Sequence, residues 1–264
     1  MTIFQSIVLG LIQGVTEFLP VSSSGHLLLV REVFGWDTEG SLAFDAMIHL
    51  ATLAAIFIAL WPEVKNLTFG FLGKKGYKDW QKRSWMILVV AIPVLLAGFF
   101  LEEVIEVFLR QRFFVLFSLA AWGIMLFLAD RYSQRTKTDI CSHIGWKESF
   151  WIGLSQILAF IPGTSRSGIT ITVGRLLKLD RDTAARFSFL LGIPVIAAAG
   201  GFSLLQMIRG GSDIEWFTLF IGFFTALVSG IIAIRFLLRF VRTKGYGWFA
   251  FYRLALVFVF LFFL

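Results

Sequence analysis

The chain is 264 residues long, 58% hydrophobic and 17% aromatic, with 31 phenylalanines and a mean hydropathy of +0.81, which excludes an ordinary soluble domain and describes an integral membrane protein. Its net charge of +7 sits in short loops between apolar stretches, where it orients a membrane protein; nucleic-acid binding is not the reading it supports. One cysteine, Cys141, excludes an internal disulfide and argues against redox chemistry.

In chain order, the N-terminus has no basic run ahead of its apolar stretch and no small-residue cleavage pattern, so it reads as part of the folded protein and not as a signal peptide. Residues 3–35 are apolar but broken mid-way by PVSSSG. Crossing a bilayer takes roughly 20 helical residues, and such stretches follow at about 42–62, 85–101 and 113–130. A second broken segment, 148–178, is interrupted by PGTSRSG, and further crossings run at about 187–208, 217–238 and 248–264. The pattern predicts six crossings and two pairs of half-helices. Lipid cannot satisfy the backbone groups freed at a break, so a broken helix at membrane depth must be buried in protein or line a wet cavity. Both broken segments are therefore expected to be re-entrant hairpins.

The hairpins align without gaps. Gly10, Leu11, Gln13, Ser22, Ser24 and Gly25 fall opposite Gly153, Leu154, Gln156, Ser165, Ser167 and Gly168 at one offset of 143 residues, which also pairs Phe44, Ala54 and Ala55 with Phe187, Ala197 and Ala198. This predicts an internal repeat, about 1–130 and 148–264 within a single membrane domain spanning 1–264. One hairpin and three crossings per copy turn the second copy upside down relative to the first. Loop charges agree: Lys and Arg number six, four, three and three in 63–84, 131–147, 178–186 and 239–247, against one, two and one in 30–40, 102–112 and 209–216. The positive-inside rule makes the first set cytoplasmic. Both termini, the base of the first hairpin and the acidic run Glu102, Glu103 and Glu106 then face outward.

Hairpins entering from opposite faces bring their tips together near the midplane, where free amides and helix N-termini attract anions, phosphate above all. Arg166 adds a permanent forked charge suited to phosphate oxygens. Ser22, Ser23, Ser24, Thr164, Ser165 and Ser167 offer hydroxyls, while Gly25, Gly163 and Gly168 let backbone approach a ligand. Gln13 and Glu17, spaced i, i+4, share a helix face and can converge on one ligand. Beside a phosphate, Glu17 reads as a ligand for a divalent cation or a general base. His26 could relay a proton or protonate a leaving phosphate, and Ser23 could be a nucleophile activated by His26.

Plainer readings stand beside these. Glu17 could be a protonated carboxyl capping a broken helix, Arg166 a clamp on loop carbonyls, and Ser22, Ser24, Ser165 and Ser167 backbone-bonding serines. Asp45 and His49 either line the mouth of the site or pair with each other. The copies supply a control. Gln13 is matched by Gln156, whereas Glu17, Ser23 and His26 are matched by Phe160, Arg166 and Ile169, so Gln13 is the most architectural of the set.

The runs QGVTEFLPVSSSGH (13–26) and PGTSRSGIT (162–170) resemble the paired motifs of the undecaprenyl-diphosphate phosphatase family, the bacitracin-resistance membrane proteins, and the likeness extends over nearly the whole chain. The resemblance implies an all-α polytopic enzyme of the bacterial plasma (inner) membrane, its site open to the outer face. The implied reaction is hydrolysis of undecaprenyl diphosphate to the monophosphate and inorganic phosphate with a divalent cation, Mg²⁺ or Ca²⁺, recycling the lipid carrier of cell-wall synthesis. Matched by position, Glu17, Ser23, His26 and Arg166 are the implied catalytic residues. Gln13 stands where many members carry glutamate, which leaves Glu17, with Gln13 as second candidate, to hold the cation. The C55 tail is expected in an apolar groove between crossings. Inverted repeats with broken helices are also a transporter plan, so a polyprenyl-phosphate flippase is the alternative reading. A homodimer is compatible with the sequence.

Overall fold

The computed structural model describes residues 1–36, 41–108, 111–133, 140–209 and 215–263. The described residues form helices and no strand: α1 (Ile3–Phe18), α2 (Ser23–Phe34), α3 (Ser41–Ala59), α4 (Trp61–Phe71), α5 (Lys78–Phe108), α6 (Arg112–Tyr132), α7 (Ile140–His143), α8 (Trp146–Leu154), a 3₁₀ segment (Ser155–Phe160), α9 (Arg166–Leu176), α10 (Arg181–Arg209), α11 (Trp216–Thr243) and α12 (Gly247–Phe263).

Both expected breaks are present, and prolines place them. A proline disfavours helical backbone at the residue before it. Leu19, ahead of Pro20, turns extended (φ −67°, ψ 139°) and ends α1; Ile161, ahead of Pro162, does the same (φ −69°, ψ 116°) and ends the 3₁₀ segment. Thr2 and Gln5 close a reciprocal cap at the start of α1, with bonds of 3.2 and 2.8 Å. The arm of the second hairpin that leads to its tip differs from expectation, because after Leu154 it tightens from α into the 3₁₀ segment.

Among the described residues, four helices contain apolar stretches long enough to cross a membrane: Lys78–Phe100, Arg112–Tyr132, Arg181–Gln206 and Trp216–Thr243. The stretch expected to cross at 42–62 instead runs into a corner, where α3 and α4 meet at 91° with Pro62 in the first turn of α4. Counting that bent pair gives five. The expected crossing at 248–264 lies on α12, which is 17 residues long.

Small residues decide the closest packing. α1 lies along α11, which also packs on α3; α12 lies on α6, and α6 on α9. A Cβ on Gly10 would fall 2.6 Å from Gly222 O, and one on Gly14 would run into Ser229 and the Ala226 carbonyl. Glycines thus let the backbones of α1 and α11 touch, the kind of association that works in lipid, where burial between helices supplies little drive. The largest buried cluster gathers Phe18, Ile56, Leu126, Ile171, Phe187 and Phe189. Phe18 and Phe189 meet edge to face at 5.3 Å, directly behind the residues described next.

Candidate active site

The two hairpin tips repeat each other in backbone detail. Ser22 (φ 74°, ψ 98°) precedes α2 and Ser165 (φ 73°, ψ 116°) precedes α9; few L-residues occupy this region, and holding one there costs about 1–3 kcal/mol. Each serine hydroxyl then accepts from the amide three residues on, Gly25 N at 3.4 Å and Gly168 N at 3.1 Å. Each also lies near the serine two residues on, Ser24 at 3.3 Å and Ser167 at 3.2 Å. The remaining first amides of α2 and α9 have no intrahelical acceptor, so both tips present positive helix ends.

Between the tips lies a connected polar cluster. Arg166 Nη2 donates to Glu17 Oε1 at 2.8 Å. Ser23 Oγ donates to Glu17 Oε2 at 2.8 Å, and Gln13 Nε2 reaches the same oxygen at 3.1 Å. Ser167 Oγ adds a second link between hairpins by donating to Leu19 O at 3.3 Å. The cluster is partly open at Ser24, which is exposed, while Gln13 is wholly buried and Glu17 is 7% exposed. Of the residues singled out by sequence, the structure therefore brings Gln13, Glu17, Ser23 and Arg166 together.

It does not bring His26 to Ser23. The expected Ser23–His26 pair is replaced by Ser23–Glu17, and both ring nitrogens of His26 are engaged elsewhere. Nδ1 lies 2.8 Å from Ser22 O, so it carries the proton; Nε2 lies 2.8 Å from the Tyr252 hydroxyl and, in the neutral ring, accepts from it. The two rings also stack, 5.6 Å apart and 5° from parallel. Asp45 and His49 do not pair through their side chains either: Asp45 holds Arg31 in a fork of 2.6 and 3.0 Å, and His49 Nδ1 donates to Asp45 O at 2.7 Å. The side chains of Glu102, Glu103 and Glu106 lie outside the described residues.

Further neighbours complete the surroundings of this cluster. Gly192 on α10 makes room for the Arg166 guanidinium, because a Cβ there would run into it. Ser188, one turn earlier on α10, shares a 2.6 Å hydroxyl–hydroxyl hydrogen bond with Thr170, and its backbone carbonyl accepts from Arg166 Nη1 at 3.5 Å, the outer limit of hydrogen bonding. Thr164 is fully buried against Ser118, 3.1 Å between hydroxyls. Arg253, fully buried in α12, donates from Nη2 to Gly163 O at 2.7 Å and Thr164 O at 2.6 Å and so braces the second tip. Its signal was available: an arginine inside an apolar span marks a site by default. Tyr252 and Gly192 have no such mark.

The donor set fits a divalent cation of the kind that keeps part of its shell for phosphate and water. Among the described residues no three His, Cys, Asp or Glu side chains gather to form a closed cage. Gln13 Oε1, however, is buried without a partner on the same amide whose Nε2 bonds the Glu17 carboxylate, and an amide oxygen and a carboxylate are both donors that such a cation accepts. Gln156 also leaves its Oε1 unpartnered, but its amide reaches only Gly153 O at 3.5 Å and no carboxylate.

The chain as a whole is similar to known proteins. The profile of a family described as bacitracin resistance protein BacA matches residues 6–259. The chain is 39% identical over 259 residues to undecaprenyl-diphosphatase 1 of Pseudoalteromonas translucida (strain TAC 125), covering 97% of this chain and 96% of that protein. It is 40% identical over 260 residues to undecaprenyl-diphosphatase 2 of Stutzerimonas stutzeri (strain A1501), covering 97% and 96%. It is 40% identical over 267 residues to the undecaprenyl-diphosphatase of Alteromonas mediterranea, covering 100% and 99%.

Proposed function

The chain belongs to the bacitracin resistance protein BacA family, and from that premise we infer that it is an undecaprenyl-diphosphatase, hydrolysing undecaprenyl diphosphate to undecaprenyl phosphate and inorganic phosphate. The observation that carries the site assignment is the relay from Arg166 through Glu17 to Ser23, which joins two hairpins whose paired residues lie 149 positions apart in the sequence.

In this reading the diphosphate enters at the hairpin tips. The Ser23 hydroxyl already points its hydrogen at Glu17 Oε2, so attack of Ser23 Oγ on the terminal phosphorus passes its proton to the carboxylate. Undecaprenyl phosphate leaves, and water delivered past the same carboxylate cleaves the phosphoserine and restores the hydroxyl. Phosphoryl transfer is governed by charge neutralisation and positioning. Arg166 and the free amides at the starts of α2 and α9 supply both, and Gly192 leaves the space that the guanidinium occupies. A Mg²⁺ or Ca²⁺ ion, held by Glu17 and Gln13 Oε1, would supply further neutralisation of the pyrophosphate. His26, locked between Ser22 O and Tyr252, acts as a positioning residue for the first tip. Ser22, Ser24, Ser165 and Ser167 shape the tips, with Gly25, Gly163, Thr164 and Gly168 as the backbone against which the headgroup lies.

The finer topology belongs to the same proposal. α1–α2 and α8–α9 are re-entrant hairpins, and the chain makes six crossings in two inverted copies, with the bent α3–α4 pair and α12 each counted as one. Loop charge puts the first hairpin's base outside, so the site opens to the outer face of the bacterial inner membrane. A flippase would use the same mirrored plan, yet nothing in lipid movement calls for a serine hydroxyl bonded to a carboxylate. The deciding experiment is phosphate release from undecaprenyl diphosphate in detergent micelles, with divalent cation present. Turnover there, abolished by Glu17→Gln and by Arg166→Ala, supports the enzyme; a folded protein inert in micelles that moves lipid in vesicles overturns it.

A further inference from the structure

Away from the hairpin tips, a cavity of about 680 Å³ opens between the ends of α6 and α12, lined by Asp130, Arg131, Arg181, Lys244, Trp248 and Phe251 among others. That volume lies in the range of small-ligand sites, roughly 300–1,000 Å³. It shares no lining residue with the Glu17 cluster. α9 spans the separation: Arg166 stands at its start, and Arg175, nine residues on, binds Asp130 in the cavity wall, a rise of about 14 Å at 1.5 Å per residue.

The charges of this cavity do not cancel. Among the described residues Asp130 is its one lining carboxylate, and both its oxygens are taken: Oδ1 by Arg175 Nε at 3.0 Å and Arg181 Nε at 2.8 Å, Oδ2 by Arg181 Nη2 at 2.7 Å and Tyr246 N at 3.1 Å. Arg131 and Lys244 remain exposed, and neither has an acidic partner among the described residues. The Arg131 guanidinium rests 5.3 Å above the Phe127 ring. Beside these cations Trp248 and Phe251 are exposed, 60% and 67%, as aromatic side chains are at a bilayer's edge. Three of the four basic loops, 131–147, 178–186 and 239–247, contribute to the wall, so by loop charge it faces the cytoplasm.

We propose that this cavity is a binding site for the headgroup of a phosphate-bearing lipid of the cytoplasmic leaflet, with Arg131 and Lys244 on the phosphate and Trp248 and Phe251 against the first carbons of the chains. A basic recess bordered by lipid-facing aromatics matches a headgroup that is anionic at one end and apolar at the other. Two lipids share that chemistry, an anionic glycerophospholipid and a polyprenyl monophosphate. Only the second source depends on the phosphatase reading.

The test titrates the full-length protein, in nanodiscs of phosphatidylcholine, with phosphatidylglycerol or polyprenyl monophosphate and counts bound lipid by native mass spectrometry. The parent and the charge-retaining pair Arg131→Lys/Lys244→Arg should hold one anionic lipid at least tenfold more tightly than Arg131→Gln/Lys244→Gln, while phosphate release in micelles stays within about twofold in all three. Equal affinity for both lipids identifies bulk anionic lipid, and a preference above tenfold for polyprenyl monophosphate identifies the product lipid. A neutral pair that binds as tightly as the parent overturns the site. On the parent alone, phosphatidylglycerol or polyprenyl monophosphate, whichever binds more tightly, should shield Lys244 from an amine-acylating reagent at least fivefold better than phosphatidylcholine; no shielding by either anionic lipid also overturns it.

Discussion

Arg166 reaches back 149 residues along the chain to place Nη2 at 2.8 Å from Glu17 Oε1, with the two side chains only 11% and 7% exposed. Removing one partner of such a pair strands a buried charge, which costs about 3–5 kcal/mol, and removing a donor from a phosphoryl-transfer site costs about 10²–10³ in rate. Glu17→Gln and Arg166→Gln should therefore each lose both stability and phosphate release. The double variant should regain most of its thermal stability and none of its activity. Melting temperatures of the double variant that fall by the sum of the two singles would show that the groups are not coupled.

Ser23 bonds Glu17, so its loss should be a rate effect with little change in fold. Ser23→Ala is expected to lower kcat by about 10³ or more while costing about 1 kcal/mol of stability. Single-turnover reaction with radiolabelled diphosphate, quenched in acid, should leave label on Ser23. Label absent while phosphate is released would assign the attack to water under Glu17.

Gly192 permits the Arg166 rotamer, since any Cβ there overlaps the guanidinium. Gly192→Ala should reduce turnover at least tenfold with Glu17, Ser23 and Arg166 all intact. Gly201, on the same helix, has nothing within 4 Å of its missing Cβ, and Gly201→Ala should keep activity and gain up to about 1 kcal/mol from helix propensity. Equal activity in both variants would remove Gly192 from the site.

Ser165 combines a cap with φ of 73°. Ser165→Gly loses the hydroxyl but accepts the backbone; Ser165→Ala loses the hydroxyl and keeps the strain. The alanine variant should be the less stable by about 1–2 kcal/mol in chemical denaturation, and Ser22→Ala and Ser22→Gly should repeat that order. The opposite order would mean that the positive φ is not strained.

Gln13 presents an unpartnered amide oxygen beside Glu17. Chelation should abolish turnover and added Mg²⁺ or Ca²⁺ restore it. Gln13→Glu should lower the cation concentration for half-activity and Gln13→Ala raise it, each by about tenfold. A cation dependence unchanged in both variants would place the ion elsewhere.

Much of this molecule was legible along the chain because the forces involved are local. Hydropathy sets where helices can lie in lipid, Pro20 and Pro162 end them, and the offset of 143 residues sets Ser22 opposite Ser165, two serines that share one backbone geometry. That Glu17 and Arg166 belong to one site also followed, from two interrupted helices seeking shelter from lipid. The bend of α3 into α4 and the 3₁₀ tightening after Leu154 were not legible, for they settle how neighbouring helices fit together. Nor was the choice of partners. His26 is drawn to Tyr252, 226 residues away, rather than to Ser23, and Gly192 earns its place only where α10 passes Arg166. Span, break and repeat are properties of a segment and its solvent, whereas the partner of a hydroxyl, an imidazole or a guanidinium is decided by which helices pack side by side.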